Sequence, residues 1–346
     1  MVLLIFLMLM MLVSSILFCH ALEHLGKYLN FSTGFTASVL IGVGTASPEL
    51  LVPIVAIGTH HNDIGVGAVL GSSLMLLTVA FPLCGIFTIW KRGRKDIISP
   101  EALGTSLDFK YILYGILLLL VVNISQHYFM HNLLNCLFVL LMVICYICYL
   151  YKGFKLSKQH NQNSVDLHYP SDLLIRILFS YASRFFYRRL ETKYPETKEH
   201  ILLILLQLLS SFIAMFYSTE YLIHDIESKA VIYGISAFIL SMLITPIVTE
   251  LPEKVNSVSY ILKRKDTLAI GNITGALVLQ TILLPVLPTI YGLWAGDQYI
   301  MINLSCISGS YLWLFFWFKL QKHWKTWQLI PPILLYFANI YFCFFN

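Results

Sequence analysis

The sequence predicts an all-α integral membrane protein of ten transmembrane helices, arranged as two inverted five-helix repeats. Three observations predict it: an extremely apolar composition, a regular alternation in where lysine and arginine fall, and a motif that returns after 204 residues.

The chain has 346 residues, of which 58% are apolar and only 12% charged, with a mean hydropathy of +0.76. A soluble protein of this length needs far more polar surface. Its apolar runs lie near the ~20 residues that cross a hydrocarbon core. They are too long for barrel strands, so the spans are helical. Ten are read, at 1–22, 31–57, 64–89, 111–130, 133–151, 200–222, 230–253, 267–292, 299–318 and 327–345. The first lacks a basic leader and a small-residue cleavage site, and reads as a retained helix rather than a signal peptide. All seven cysteines fall in apolar runs, so Cys145-x-x-Cys148 reads as packing rather than metal or redox chemistry.

With the N-terminus outside, every lysine and arginine except Lys229 falls in an inside connection. This satisfies the positive-inside rule, and an odd error in the span count would scramble it. The expectation is therefore a multi-pass plasma-membrane protein with both termini outside. The connection 152–199 divides the chain into halves 1–151 and 200–346. Within it Leu173, Leu174, Ile177, Leu178, Tyr181 and Phe185 recur at helical spacing, interleaved with Arg176, Arg184, Arg188 and Arg189. That pattern reads as a basic amphipathic helix on the inner membrane surface. The outside connections lean acidic, with Asp63, Asp225, Glu227 and Asp297. Adjacent His60 and His61 cannot share a helix face, and read as a hydrated turn rather than a metal pair.

The stretch Thr245–Lys254 buries two carboxylates, Glu250 and Glu253, in a run that also holds Pro246 and Pro252. Ionisable groups at membrane depth are costly and mark functional sites. A shift of 204 residues lays Thr45 on Thr249, Pro48 on Pro252, Glu49 on Glu253, Gly67 on Gly271 and Gly71 on Gly275. Span two and span seven run in opposite directions, so the repeat is inverted. Inverted repeats with interrupted helices are the architecture of secondary transporters, with the site at the midplane. Proline at 48 and 252 is expected to open each helix, and freed carbonyls are tolerated at depth where they face a cavity or an ion. Thr45 and Thr249 add neutral oxygens, while Glu49 and Glu253 add charge, the ligand set hard cations favour. Glu250 lies three residues before Glu253 on the same helix face. Two carboxylates in a dry site suit either a shared cation or a carried proton. The glycine pairs are small-x-x-x-small faces for close helix approach.

Thr249-Glu250-Leu251-Pro252-Glu253 followed by Gly271-Asn272-Ile273-Thr274-Gly275 resembles the cation/calcium antiporter superfamily, which includes the sodium/calcium exchangers. Thr45-Ala46-Ser47-Pro48-Glu49 with Gly67–Ser72 is its weaker counterpart. The resemblance implies a ligand glutamate in each break, met by Glu49 and Glu253, and an amide or carboxylate 27 residues later. Those later positions hold Leu76 and Gln280, and the family's motif serines correspond to Ala46 and Glu250. Leu76 offers no oxygen, and Glu250 adds one carboxylate to the second repeat. It also implies alternating access by spans one and six against the core.

The expected function is secondary-active cation antiport, sodium/calcium exchange, at a site of Glu49, Glu250, Glu253, Gln280, Thr45 and Thr249. The partners are inorganic cations and the lipid bilayer, with no nucleic acid and no cofactor besides transported Ca2+ and Na+ or H+. A proton-coupled cation exchanger and a degenerate, non-transporting homologue are the alternatives. An intramembrane enzyme is disfavoured, since no H-E-x-x-H or paired-aspartate motif is present.

Overall fold

The structure is a computed structural model that describes residues 2–28, 42–128, 132–160, 199–294 and 298–345. The basic amphipathic segment expected within 152–199 lies largely outside the described residues, as does the start of span two. The described chain is almost wholly helical, and seven of its helical segments are long and apolar enough to cross a membrane. Two shorter apolar helices, Ala46–Gly58 and Ala237–Thr249, accompany them.

Two compact units divide the chain. The first comprises Met1–Pro48 and Ser164–Thr219. Its described core is α1 (Val2–Tyr28) against the first half of α7 (Glu199–Tyr233). Phe18 meets Phe212 at 6.1 Å between ring centroids, and Gln207 Nε2 donates to the Leu17 carbonyl at 3.1 Å. The Thr219 and Ser47 hydroxyls turn toward the sulfurs of Met11 and Met215.

The second unit comprises Glu49–Asn163 and Glu220–Asn346. It receives most of α2 (Gly42–Gly58) and the end of α7. α3 (Asn62–Met75) runs through a π turn, Leu76–Ala80, into α4 (Phe81–Arg92). A two-residue strand β1 (Ile97–Ile98), then α5 (Ala102–Tyr128) and α6 (Asn132–His160), complete the first half. Beyond α7 come α8 (Ala237–Thr249), α9 (Leu251–Leu262) and α10 (Asp266–Val278). A second π turn at Leu279–Leu283 leads to α11 (Val286–Ile290). The chain closes with α12 (Gln298–Gln321), β2 (Trp324–Lys325) and α13 (Pro332–Phe345).

The basic connections meet at one end of this unit. β1 pairs antiparallel with β2, Thr326 Oγ1 donates to the Arg94 carbonyl at 2.9 Å, and Arg92 Nη1 reaches Asp266 Oδ1 at 2.8 Å. The Ser99 amide donates to the other Asp266 oxygen, and the Glu101 amide to Thr267 Oγ1. Phe81, Phe109, Phe318 and Trp324 pack beneath them as an aromatic layer. On α5 farther along, Gln126 donates to Asn135 Oδ1 and the Thr289 carbonyl and accepts from the Trp294 amide. The bond from the Trp294 amide satisfies a backbone donor of the turn that follows α11.

Close packing bears on the glycine stripe. A Cβ added at Gly67 or Gly71 would run into the α8 carbonyls of Phe238 and Met242, so only glycine lets α3 lie this close to α8. At Gly271, by contrast, no described atom stands within 4 Å of such a Cβ.

The two prolines behave differently. Pro252 occupies the second position of α9, and the chain leaves helical geometry at Glu250 (φ −101°, ψ 6°). Span seven is therefore two helices with Glu250 at the joint. Pro48 was expected to open its helix in the same way, but α2 runs through it unbroken. It removes one hydrogen bond, that to the Gly44 carbonyl, and the flanking turns carry the helix past it.

Candidate functional site

Four of the six predicted residues lie in the second unit: Glu49 from α2, Glu250 at the α8–α9 joint, Glu253 in the first turn of α9, and Gln280 in the second π turn. All four are buried, Glu250 and Gln280 completely. Gln280 Nε2 donates to Glu49 Oε2 at 3.1 Å and, more loosely, to Glu250 Oε1 at 3.4 Å. The amide thus joins a carboxylate from the first half of the chain to one from the second. Glu49 is also within electrostatic reach of Glu253.

The local backbone explains the convergence. Where α8 stops at Glu250, α9 begins at once, so its positive N-terminal end faces the joint and favours negative charge there. The π turn beneath Gln280 widens the helix by one residue, a distortion common at functional sites. Its counterpart beneath Leu76 starts 203 residues earlier, close to the 204-residue sequence repeat. At the position that matches Gln280 the buried side chain is the hydrocarbon of Leu76, which offers no oxygen, and the Thr78 hydroxyl of the same turn donates to the Leu74 carbonyl at 2.6 Å.

Among the described residues, Glu49 Oε1, Glu250 Oε2, Glu253 Oε2 and Gln280 Oε1 are buried without a hydrogen-bond partner. Leaving one buried acceptor unsatisfied costs about 1–3 kcal/mol, and more when it is charged. Gln280 holds Glu49 and Glu250 beside one another, and unsatisfied carboxylate oxygens so placed are what a hard cation relieves.

Thr249 is buried beside Glu250, its hydroxyl donating to the Thr245 carbonyl at 3.1 Å while its lone pairs stay available. Thr45 lies in α2, but its side chain is outside the described ones.

Three further residues complete the surroundings. Ser72 of α3 reaches Glu250 with its side chain. Asn272 donates to the Glu253 carbonyl at 3.0 Å and to Ser257 Oγ at 2.9 Å, fixing the α9 turn that carries Glu253. Lys254 does not pair with its neighbour Glu253. It reaches back across the joint to Glu250 Oε2 at 3.6 Å and donates to the Pro246 carbonyl at 3.1 Å. The i,i+4 spacing of Glu250 and Lys254 signals that pair once the joint is known.

One buried acid was not singled out from the sequence. Asp108 of α5 accepts from Tyr149 Oη at 3.0 Å and from Thr274 Oγ1 at 2.5 Å. Both its oxygens are satisfied, so it ties α5, α6 and α10 together instead of offering ligands.

Known proteins resemble the chain in family and in fold. The family model described as sodium/calcium exchanger protein matches residues 1–154 and 203–345. Over 70 residues the chain is 27% identical to sodium/potassium/calcium exchanger 4 of Mus musculus and of Homo sapiens. That stretch is 20% of this chain and spans only 11% of those relatives' length. Among solved structures, the H+/Ca2+ exchanger CAX superposes with a TM-score of 0.72 at 16% identity, covering 98% of this chain and 81% of the other. Native YfkE gives 0.67 at 14% identity, with coverages of 100% and 92%. The sodium-calcium exchanger NCX_Mj gives 0.54 at 17% identity, with 98% of both chains covered. At such identities the likeness is one of fold. The family match spans most of the sequence in two stretches, and on that ground this multi-pass membrane protein belongs to the sodium/calcium exchanger protein family.

Proposed function

We propose that the chain is a secondary-active cation antiporter that exchanges calcium for sodium by alternating access. Glu49, Glu250, Glu253 and Gln280 hold the ion, and Thr45 and Thr249 assist as neutral oxygens. The observation that carries this reading is the Gln280 amide joining Glu49 to Glu250, beside buried oxygens of Glu49, Glu253 and Gln280 that have no hydrogen-bond partner among the described residues. Charge supports a divalent ion. Three carboxylates against the Lys254 ammonium leave two formal negative charges, the complement of one calcium.

The architecture in this proposal is ten spans in two inverted halves, 1–151 and 200–346, with 152–199 as the connecting segment. The motif repeat, the paired π turns and a family match interrupted over 155–202 support it. The meeting of the basic connections at one end supports an orientation in the plasma membrane with both termini outside.

A proton as the counter-ion is the second reading. It is favoured by Leu76, which removes an oxygen, and by Lys254, which already occupies one carboxylate. Few neutral donors then remain for several sodium ions.

Purified protein in sealed vesicles loaded with labelled calcium decides between them. Under a sodium gradient at equal pH, the first reading expects calcium flux; flux under a pH gradient without sodium selects the second. In either case Glu253→Gln stops exchange. Full exchange by that variant removes the site assignment.

A further inference from the structure

A separate cluster lies where the turn between α2 and α3 meets the latter part of α7. His61 of that turn, and His224 and Glu227 of α7, each present a ligand atom, and these atoms lie within 4.8 Å of one another. His61 Nε2 is 2.7 Å from Glu227 Oε2, and the rings of His61 and His224 stand perpendicular with centroids 5.2 Å apart. All three residues belong to the second unit. From the sequence, the adjacent pair His60 and His61 reads as a hydrated turn. The fold instead partners His61 with two residues remote in sequence.

The backbone and a neighbouring hydroxyl fix His61 in a ligating pose. His60 adopts a left-handed conformation (φ 67°), rare outside glycine, and closes α2. The His61 amide then donates to the Ala56 carbonyl at 2.7 Å. Thr59 Oγ1 lies 2.8 Å from the Val55 carbonyl and 2.9 Å from His61 Nδ1. When its proton goes to Val55 it accepts from Nδ1–H, and Nε2 then turns its lone pair toward Glu227, the tautomer a metal-ligating histidine needs. In that tautomer the carboxylate oxygen 2.7 Å away calls for a cation between the two. A proton would satisfy His61 and Glu227 alone. The third donor, His224, makes the group a ligand set.

We propose that His61, His224 and Glu227 form a binding site for a divalent transition-metal ion of the zinc class. Two imidazoles and a carboxylate are ligands for such ions rather than for calcium, which takes oxygen. Three protein ligands leave a fourth position for water, and Glu227, half exposed, leaves a path for entry. With bonds of about 2.0–2.1 Å, tetrahedral donors stand roughly 3.3 Å apart. His61 and Glu227 would part slightly while His224 closes in. His224 and Glu227 share a helix face three residues apart, so both can reach one ion from α7. Thr59 plays the supporting part that outer-shell partners play at histidine-metal sites. A bound ion would pin the α2–α3 turn to α7.

The test uses the full-length protein in detergent, titrated with zinc chloride by calorimetry, with cobalt(II) absorption as a readout of ligation. The expected result is one zinc per chain, a cobalt spectrum of tetrahedral intensity, and no displacement by excess calcium. His224→Gln should weaken zinc at least tenfold, and Thr59→Val on the order of 10–100-fold. Both variants should keep the wild-type melting temperature without metal, which separates lost ligation from lost folding. The same titration in the Glu253→Gln background should be unchanged, so this site stands or falls apart from the transport site. Zinc binding of equal strength in wild type and His224→Gln, or competed by calcium, would overturn the proposal. An imidazolium–carboxylate pair alone would show as no zinc binding in the wild type and would equally overturn it.

Discussion

Asp108 and Glu49 are both buried acids, and what surrounds each oxygen tells them apart. Asp108 has a hydroxyl donor on either oxygen, whereas Glu49 has one oxygen held by Gln280 and one without a hydrogen-bond partner among the described residues. Asp108→Asn should therefore cost about 1–3 kcal/mol of stability, because an amide meets a donor with a donor. Its calcium affinity should stay within twofold of wild type, read by thermal melting in detergent with and without calcium. Lys254 makes the complementary case. Breaking a buried charge pair costs about 3–5 kcal/mol, so Lys254→Met should melt markedly earlier than wild type without divalent ions. Added calcium should restore more stability to it than to wild type, since its site carries one more negative charge. Equal calcium stabilisation in the two proteins would refute the charge count. At this scale the carboxylates were legible, because Glu49, Glu250 and Glu253 stand out in apolar sequence. The partner of Lys254 was not, since it follows from where the helix breaks. The distinction between satisfied and unsatisfied acids is tertiary and leaves no local trace.

Helix geometry decides which of those residues can meet. The α8–α9 joint was legible in Pro252, which can begin a helix but cannot continue one. Pro48 gave the same signal and α2 ignores it, because one missing hydrogen bond does not outweigh the turns on either side. The π turns Leu76–Ala80 and Leu279–Leu283 were invisible, since neither holds a proline or glycine of its own. Gly67 and Gly71 were legible as a packing stripe, and the α8 backbone lies against them. Gly71→Ala places a methyl against the Met242 carbonyl, a backbone atom that cannot swing aside. A loss of about 1–3 kcal/mol is expected. Gly104→Ala, with no described neighbour within 4 Å, serves as the control and should melt no lower than wild type. If the two variants melt alike, the close approach of α3 and α8 is not what Gly71 supplies.

For the whole molecule, charge placement and repetition were the strongest signals. The positions of lysine and arginine separated the connections into two sets, and the fold joins three of the basic ones through β1–β2, Thr326–Arg94 and Arg92–Asp266. The His61–His224–Glu227 group could not be anticipated, since 166 residues separate His61 from Glu227 and only the packing of helices unites them. The transport proposal rests on the same kind of union, with Glu49 brought to Glu250, Glu253 and Gln280 from the other half of the chain. Equilibrium binding of labelled calcium to the purified protein tests that union most directly, comparing wild type with Glu49→Gln. The account predicts one saturable calcium per chain in wild type and a loss of affinity on the order of 100-fold or more in the variant, as removing one charge from a buried set requires. Calcium bound equally well by Glu49→Gln would contradict it.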